Sequence, residues 1–319
     1  MKVLVTGASG FVGRHLVRRC LNDGLEVTVL VRHANSVITS GLKTRVIAGL
    51  EQLGDVSDVL QGQDVVAHCA ARVHVMKDRS ANPLAAFRAV NVAGTLDLAS
   101  QAAAAGITRF IYLSSVKVHG ESTATGRPFT EEDLPFPQDA YAQSKCDAEA
   151  GLRQLAAQTG MTVVIIRPPL VYGLGVGANF KVMMTAVRRG WPLPLGRIDN
   201  RRSLVAIDNL VDLMRVCMVH PAAANQAFLV SDGEDLSTTQ LLRHLGVSLG
   251  RPARLLPVPV SMLRLIAALI GRSAVADRLC GSLQVDIGKA QHLLGWIPPV
   301  SVQKGLRCAA QGCPRETSL

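Results

Sequence analysis

An apolar run almost at the first residue, Val3-Leu4-Val5, leads directly into Thr6-Gly7-Ala8-Ser9-Gly10-Phe11-Val12-Gly13. Val12 and Leu16 then carry an amphipathic pattern through Arg19, so the glycines fall at a strand-to-helix junction. Gly7 permits the tight turn, Gly10 lets the backbone approach a pyrophosphate, and Gly13 lets helix and strand pack closely. The free amides and positive dipole end of the helix then face phosphate. The junction therefore reads as a dinucleotide cradle, with Gly7, Gly10, Phe11, Val12 and Gly13 as cofactor-binding candidates.

The chain beyond the loop fits a dinucleotide-binding domain. Apolar runs recur at Val27 to Val31, Val46-Ile47, Val65-Val66-Ala67, Phe110 to Leu113 and Val163 to Ile166. Such runs suit a parallel sheet buried on both faces. Helical stretches lie between them. The clearest, 83–105, opens with Asn82 as cap and Pro83 at the first helical position, and closes at Gly106. The alternation predicts an α/β fold: a doubly wound parallel (Rossmann) sheet over 1–170. From Pro168 to Gly196 the chain turns rich in Gly and Pro, broken by a short helix near Phe180 to Arg189. We expect a smaller C-terminal substrate-binding α/β portion over 171–319. A strand at Phe228-Leu229-Val230 returns to the main sheet, and a capping box at Ser237 to Gln240 opens a helix.

Composition narrows the function classes. Nearly half the residues are hydrophobic (48%) and mean hydropathy is +0.25, yet the best apolar segment, Val258 to Ile270, is short and carries Arg264. A buried or interfacial helix is expected there rather than a membrane span, and the N-terminus enters a strand with no signal-peptide pattern. A cytoplasmic location with no membrane insertion is expected. The seven cysteines (20, 69, 146, 217, 280, 308, 313) are an odd set without C-x-x-C spacing. They read as free, mostly buried thiols, and no metal-ligand spacing is present. The net charge of +10 comes from scattered residues, mainly arginines, without aromatic interleaving. It suits an anionic small substrate rather than nucleic acid.

A second constellation is Tyr141-Ala142-Gln143-Ser144-Lys145. Positions i and i+4 share a helix face, so Tyr141 and Lys145 point the same way. An ammonium beside a phenol is expected to lower the tyrosine pKa, tuning it for proton transfer with a hydroxyl or ketone.

With the loop and the Tyr141/Lys145 pair in place, the whole chain resembles the extended short-chain dehydrogenase/reductase family. Thr6-Gly7-x-x-Gly10-x-x-Gly13 matches that family's glycine loop and Tyr141/Lys145 its catalytic pair. Ser114-Ser115-x-x-Val118-His119-Gly120 resembles its S-S/T-x-x-V-Y-G segment, which puts Ser115 at the third catalytic position and leaves His119 in place of the usual Tyr. His68-Cys69-Ala70-Ala71 resembles the H-x-A-A segment where the backbone meets the cofactor. Asn91 to Thr95 resembles N-x-x-G-T, and Arg167 to Gly173 resembles R-P-x-x-V-Y-G, with Pro168 and Leu170 beside the nicotinamide. The resemblance thus implies catalytic Ser115, Tyr141 and Lys145, and cofactor contacts at Ala70, Ala71, Asn91, Tyr141, Lys145, Pro168 and Leu170. A homodimer through the helices around 83–105 and 139–158 is implied as well.

An NAD-selective site needs a carboxylate at the end of the second strand to bind the ribose 2′-hydroxyl. Here the strand ends Val31-Arg32-His33. Arg32, assisted by Arg14, suits a 2′-phosphate, so NADP(H) is preferred over NAD(H). Gly49 also stands where relatives usually carry an adenine-binding Asp.

Within the family the likeness is to bacterial nucleotide-sugar enzymes. These comprise UDP-glucose 4-epimerase-like proteins and reductases of UDP-4-keto-6-deoxy-N-acetylglucosamine, which serve surface-polysaccharide (lipopolysaccharide) synthesis. It rests on Ala70 to Met76, Pro192 to Gly196, Asn200 to Val205, Ser282 to Asp286 and Leu294-Gly295-Trp296. Asn179 and Arg202 are then expected at the UDP-sugar diphosphate, with Arg278 as a further candidate. Val73 (in the loop to Met76), Lys117, Ser115 and Tyr141 are expected at the sugar. The expected reaction is NADPH-dependent reduction of a 4-keto sugar. A 4-epimerase with bound NAD and a non-catalytic nucleotide sensor or assembly factor are the alternatives.

Overall fold

The computed structural model describes residues 1–33, 42–73, 82–124 and 126–311, apart from the side chains of residues 178 and 179. Its strands are β1 (Lys2–Thr6), β2 (Glu26–Val31), β3 (Lys43–Val46), β4 (Val65–His68), β5 (Arg109–Leu113), β6 (Thr162–Arg167), β7 (Leu170–Tyr172), β8 (Arg202–Ala206), β9 (Ala227–Leu229) and β10 (Asp235–Leu236). The helices are α1 (Phe11–Asn22), α2 (Ser57–Leu60), α3 (Pro83–Arg88), α4 (Gly94–Ala104), α5 (Ala140–Thr159), α6 (Ala178–Arg189), α7 (Ile207–Val219), α8 (Thr238–Ser248), α9 (Val260–Leu269), α10 (Ser273–Cys280), α11 (Gly288–Leu294) and α12 (Val302–Gln311).

Seven strands form one sheet in the order β3-β2-β1-β4-β5-β6-β9, parallel throughout. Period-two alternation splits β1 between two cores. Val3 and Val5 pack with α1 and α7, while Leu4 packs with α4 and α5 on the other face. Strands covered on both sides can be apolar at every position, as the sequence indicated. The order reverses between β1 and β4, so their carboxyl ends open the crevice where such sheets bind ligands. The strand expected at 228–230 is β9, Ala227–Leu229, paired with β6.

Three expectations change. β3 ends at Val46 and is exposed along its length, because it is the sheet's outer edge rather than a buried strand. The helix expected over 83–105 is interrupted by a π-helical turn, Ala89–Ala93, between α3 and α4. Its predicted ends hold: Asn82 accepts a hydrogen bond from the Ala85 amide (3.1 Å), and Gly106 takes a φ of +80°. The segment 258–270 forms α9, in which no residue is buried.

The later chain also holds a three-stranded sheet, β10-β8-β7, that its Gly- and Pro-rich composition concealed. The Ser237 to Gln240 capping box is present. Five of the cysteines, Cys20, Cys69, Cys146, Cys217 and Cys280, are free thiols. Cys308, expected to be free, is disulfide-bonded, and Cys313 lies outside the described residues.

Candidate active site

The glycine loop closes against the end of β4. Gly7 has a φ of +68°, and a Cβ there would lie 2.7 Å from the Ala70 amide nitrogen. A side chain on Gly13 would meet the Gly7 carbonyl oxygen. Gly10 is different: its amide donates to that carbonyl at 2.8 Å, but its own Cβ position is only 3.1 Å from it and otherwise open. No side chain caps α1 and no acid sits in its first turn. The amides of Phe11, Val12 and Gly13 therefore have no intrahelical acceptor and are free to serve an anion. Loop and helix end fit a dinucleotide's pyrophosphate.

His68, wholly buried, pins this crevice. Its Nδ1 is 2.7 Å from the Thr6 hydroxyl and its Nε2 is 3.0 Å from the Thr95 hydroxyl. The Ala70 amide also donates to the Thr6 oxygen at 3.2 Å. Burial pulls the His68 pKa down from 6.5 to about 3, so the ring bridges β1, β4 and α4 as a neutral group. Asn91 does comparable work from the π turn. Its amide oxygen accepts from the Arg72 amide (2.8 Å), and its nitrogen donates to the Arg72 carbonyl (3.0 Å) and the Ser144 hydroxyl (2.9 Å). Ala70 and Ala71 are thereby held beside α5, while Val73 is exposed; residues 74–76 of that loop lie outside the described residues.

Ser115, Tyr141 and Lys145 converge. Ser115 lies just past β5 and caps a short 3₁₀ turn, Val116–Val118. That turn is tied to the neighbouring strand end, since the Val116 amide donates to the Pro168 carbonyl at 3.0 Å. Tyr141 stands in the first turn of α5, where the Ser115 side chain acts on its phenol to lower its pKa. Lys145 is one turn further along, buried, donating to the Leu113 carbonyl at 2.8 Å with its ammonium 4.5 Å from the Tyr112 ring centre.

The pKa pattern reverses the expectation for Tyr141. The phenol is pushed up from 10 to about 12 by burial and the nearby Asp139 carboxylate, against a smaller downward effect of Ser115. Lys145 is not among the groups that act on the phenol, and its ammonium donates to the Leu113 carbonyl. Burial lowers Lys145 itself from 10.5 to about 7, with Glu149 acting in the opposite sense. The site thus presents a protonated phenol beside an amine that titrates near neutrality.

Behind it lies a buried ionic knot. Arg167 binds Glu149 through Nη2 (2.5 Å) and Nε (3.0 Å), and Ser114 donates to the same carboxylate at 2.6 Å. Arg167 Nη1 lies 2.8 Å from His119 Nε2. A guanidinium can only donate, so His119 carries its proton on Nδ1. The place the family gives to Tyr is here a neutral imidazole, its pKa lowered from 6.5 to about 4 by burial and Arg167.

The family is decided by the comparisons. The sequence model of the NAD dependent epimerase/dehydratase family matches residues 3–231. The chain is 48% identical over 311 residues to a Vibrio cholerae protein named UDP-glucose 4-epimerase, covering 97% of this chain and 94% of that one. The chain belongs to the NAD dependent epimerase/dehydratase family. Among solved structures, the UDP-glucose 4-epimerase of Thermotoga maritima, solved with UDP-glucose, superposes with a TM-score of 0.77 at 22% identity, covering 98% of both chains. The dTDP-glucose 4,6-dehydratase of Streptomyces venezuelae, with NAD bound, gives 0.77 at 26% identity, covering 98% of this chain and 96% of that one. The resemblance drawn from the glycine loop and Tyr141/Lys145 stands, and the protein is an enzyme of the extended short-chain dehydrogenase/reductase type.

In this family member the candidate cations are mostly engaged. Arg14 donates to the Gly175 carbonyl at 2.8 Å, joining α1 to the loop after β7. Lys117 binds Glu121 at 2.5 Å and Asp139 at 2.7 Å. Arg202 donates to the carbonyls of Arg278 (2.9 Å) and Gly281 (3.0 Å), so it meets the backbone of Arg278 while that residue stays exposed. The side chain of Asn179 lies outside the described residues. Arg32 is exposed just beyond β2, and Gly49 turns tightly onto Gln52. Thr6, Thr95 and Asp139 were not singled out as site residues in the sequence. Thr6 and Thr95 stand inside the glycine-loop and N-x-x-G-T motifs, and Asp139 occupies a cap position ahead of Tyr141.

Proposed function

We propose that this enzyme reduces the 4-keto group of a UDP-4-keto-6-deoxy-N-acetylhexosamine with NADPH. The observation that carries the reading is at the cofactor's ribose. Between Glu26 and Glu51 the chain has no carboxylate, and Arg32 stands exposed where β2 ends. A guanidinium there suits a 2′-phosphate, and the missing acid removes the usual partner of a 2′-hydroxyl. Net reduction consumes a reduced cofactor at each turnover, which an exchanging NADPH supplies.

The amides of Phe11, Val12 and Gly13 take the pyrophosphate, and Ala70, Ala71, Asn91, Pro168 and Leu170 shape the crevice on either side of it. When bound, the reduced nicotinamide supplies a hydride. Tyr141, kept protonated by burial, gives its proton to the ketone oxygen as C4 becomes tetrahedral, so the product is an alcohol and charge balances. Ser115, whose side chain already acts on Tyr141, holds that same oxygen in line with the phenol. Lys145 holds the ribose, and with a pKa near neutrality it can return a proton to the phenolate. Asn179, Arg202 and Arg278 serve the UDP diphosphate, with Val73 and Lys117 at the sugar. A homodimer through α3, α4 and α5 completes the reading.

A second reading is favoured by the 48% identical relative named UDP-glucose 4-epimerase. The same three groups would then oxidise C4 and return the hydride to the opposite face, with NAD retained. Incubating the purified enzyme with NADPH and UDP-4-keto-6-deoxy-N-acetylglucosamine separates the two. Stoichiometric loss of NADPH absorbance supports the reductase. Interconversion of UDP-N-acetylglucosamine with its C4 epimer, without net oxidation, overturns it in favour of the epimerase.

A further inference from the structure

Helix α9 has its apolar side facing solvent. Met262, Leu265, Ile266 and Leu269, spaced i, i+3, i+4 and i+7, form one stripe, and they are 51%, 63%, 44% and 78% exposed. Val260, Leu263 and Ala267, on the opposite side of the helix, are the half-buried positions that attach it. Among the described elements α9 packs mainly on α10, where Val275 is also exposed. An ordinary surface helix shows the reverse arrangement, apolar inward and polar outward.

The surroundings are cationic. From 251 to 281 the sequence has five arginines and one carboxylate, Asp277. Arg254, Arg264 and Arg272 are exposed and make no ion pair among the described residues. The patch continues onto Trp191, half exposed with the Arg189 guanidinium 5.2 Å from its ring centre. Its strand segment is joined to this region by the Leu193 amide donating to the Arg254 carbonyl at 2.8 Å.

We propose that α9 is a docking surface for an anionic phospholipid bilayer. At ten residues it is too short to cross the hydrocarbon core, and no described helix is long and apolar enough to do so. It suits a helix lying in the interface, with its aliphatic stripe among acyl chains and flanking arginines at headgroup phosphates. The indole of Trp191 belongs at the same depth. A second copy of the chain is a poorer occupant, because a two-fold interface sets the patch against itself and opposes five arginines to five. A protein partner is also poorer, since the helix stripe itself is wholly aliphatic, and leucine is under-represented at the energetic centres of protein interfaces.

The test is flotation of the full chain with large unilamellar vesicles of phosphatidylcholine, alone or mixed with phosphatidylglycerol. Two double variants are compared, Leu265→Ser with Leu269→Ser, and Arg264→Glu with Arg272→Glu. The wild type should float with the anionic vesicles at low salt and not with the neutral ones. Each arginine near a charged surface is worth about fivefold in partition, so reversing two of them should lower binding by roughly twenty-five-fold or more. The serine variant should lower it comparably, with thermal unfolding unchanged in both because the replaced side chains face solvent. Failure of the wild type to bind anionic vesicles overturns the proposal, as does wild-type binding by either variant. A dimer that the serine pair breaks into monomers in analytical ultracentrifugation also overturns it, assigning the face to a second copy.

Discussion

Lys117 holds Asp139 at 2.7 Å through one carboxylate oxygen, while the other oxygen of Asp139 accepts from the Ala142 amide at 2.7 Å and caps the helix that carries Tyr141. One side chain thus connects the turn after β5 to the start of α5. It also sets the field at the phenol, since its charge raises the Tyr141 pKa.

Replacing Asp139 separates these roles. Asp139→Asn keeps a good cap and removes the charge, so stability should change little while the Tyr141 pKa falls. The alkaline limb of the pH–rate profile should move to lower pH. Asp139→Ala loses the cap as well and should cost about 1 kcal/mol, up to about 2, in urea denaturation. An unmoved alkaline limb in the Asn variant would show that the carboxylate does not act on the phenol.

Tyr141→Phe should reduce turnover by at least about a hundredfold, the usual worth of a positioned general acid. Cofactor affinity, measured by fluorescence titration, should stay near that of the wild type. Near-normal turnover would remove Tyr141 from the chemistry.

Lys145 should weaken the fold it serves. With its pKa lowered from 10.5 to about 7, the unfolded chain takes up a proton between those values that the folded chain refuses. The group's contribution to stability therefore declines as pH falls from 10.5 to 7 and is level below that. Lys145→Met should be more stable than the wild type at neutral pH, the difference shrinking as pH approaches 10.5, and it should be inactive. Equal denaturation midpoints at pH 7 would contradict this.

His68 and His119 give a second window on the acid side. Both are lowered from 6.5, to about 3 and about 4. As pH falls below 6.5 the unfolded chain protonates these rings and the folded chain does not, so stability drops towards pH 4. Each group contributes at most about 1.4 kcal/mol per pH unit. Urea midpoints at pH 7 and pH 5 should differ, and His119→Gln should narrow the difference.

Arg32→Asp should invert cofactor choice. The ratio of kcat/KM with NADPH to that with NADH should fall by on the order of a hundredfold, because one charge-assisted contact is lost and a repulsive one gained. An unchanged ratio would place the 2′-phosphate elsewhere.

Much of the fold was legible because its signals are local. The Asn82 cap, the Gly106 stop, the Ser237 capping box and the doubly buried strands each arise from a few neighbouring residues. The π turn at Asn91 was not legible. Its sequence has no helix breaker, and the extra residue is accommodated where Asn91 meets the Arg72 backbone and Ser144. The apolar composition of 258–270 suggested a buried or interfacial helix, but burial depends on what packs over it, and none of the described residues covers the stripe of α9.

The chemistry divides the same way. Sequence alone determined that Gly7, Gly10 and Gly13 form a tight strand-to-helix turn and that Tyr141 and Lys145 share a helix face, since both are set by backbone geometry over a turn or two. Tertiary structure decided where the charges go. Arg14 found the Gly175 carbonyl, Lys117 found Asp139, Arg202 found the backbone of Arg278, and Lys145 turned to Leu113. Long flexible side chains take the partners that distant segments bring to them, and desolvation by those same segments sets their pKa values.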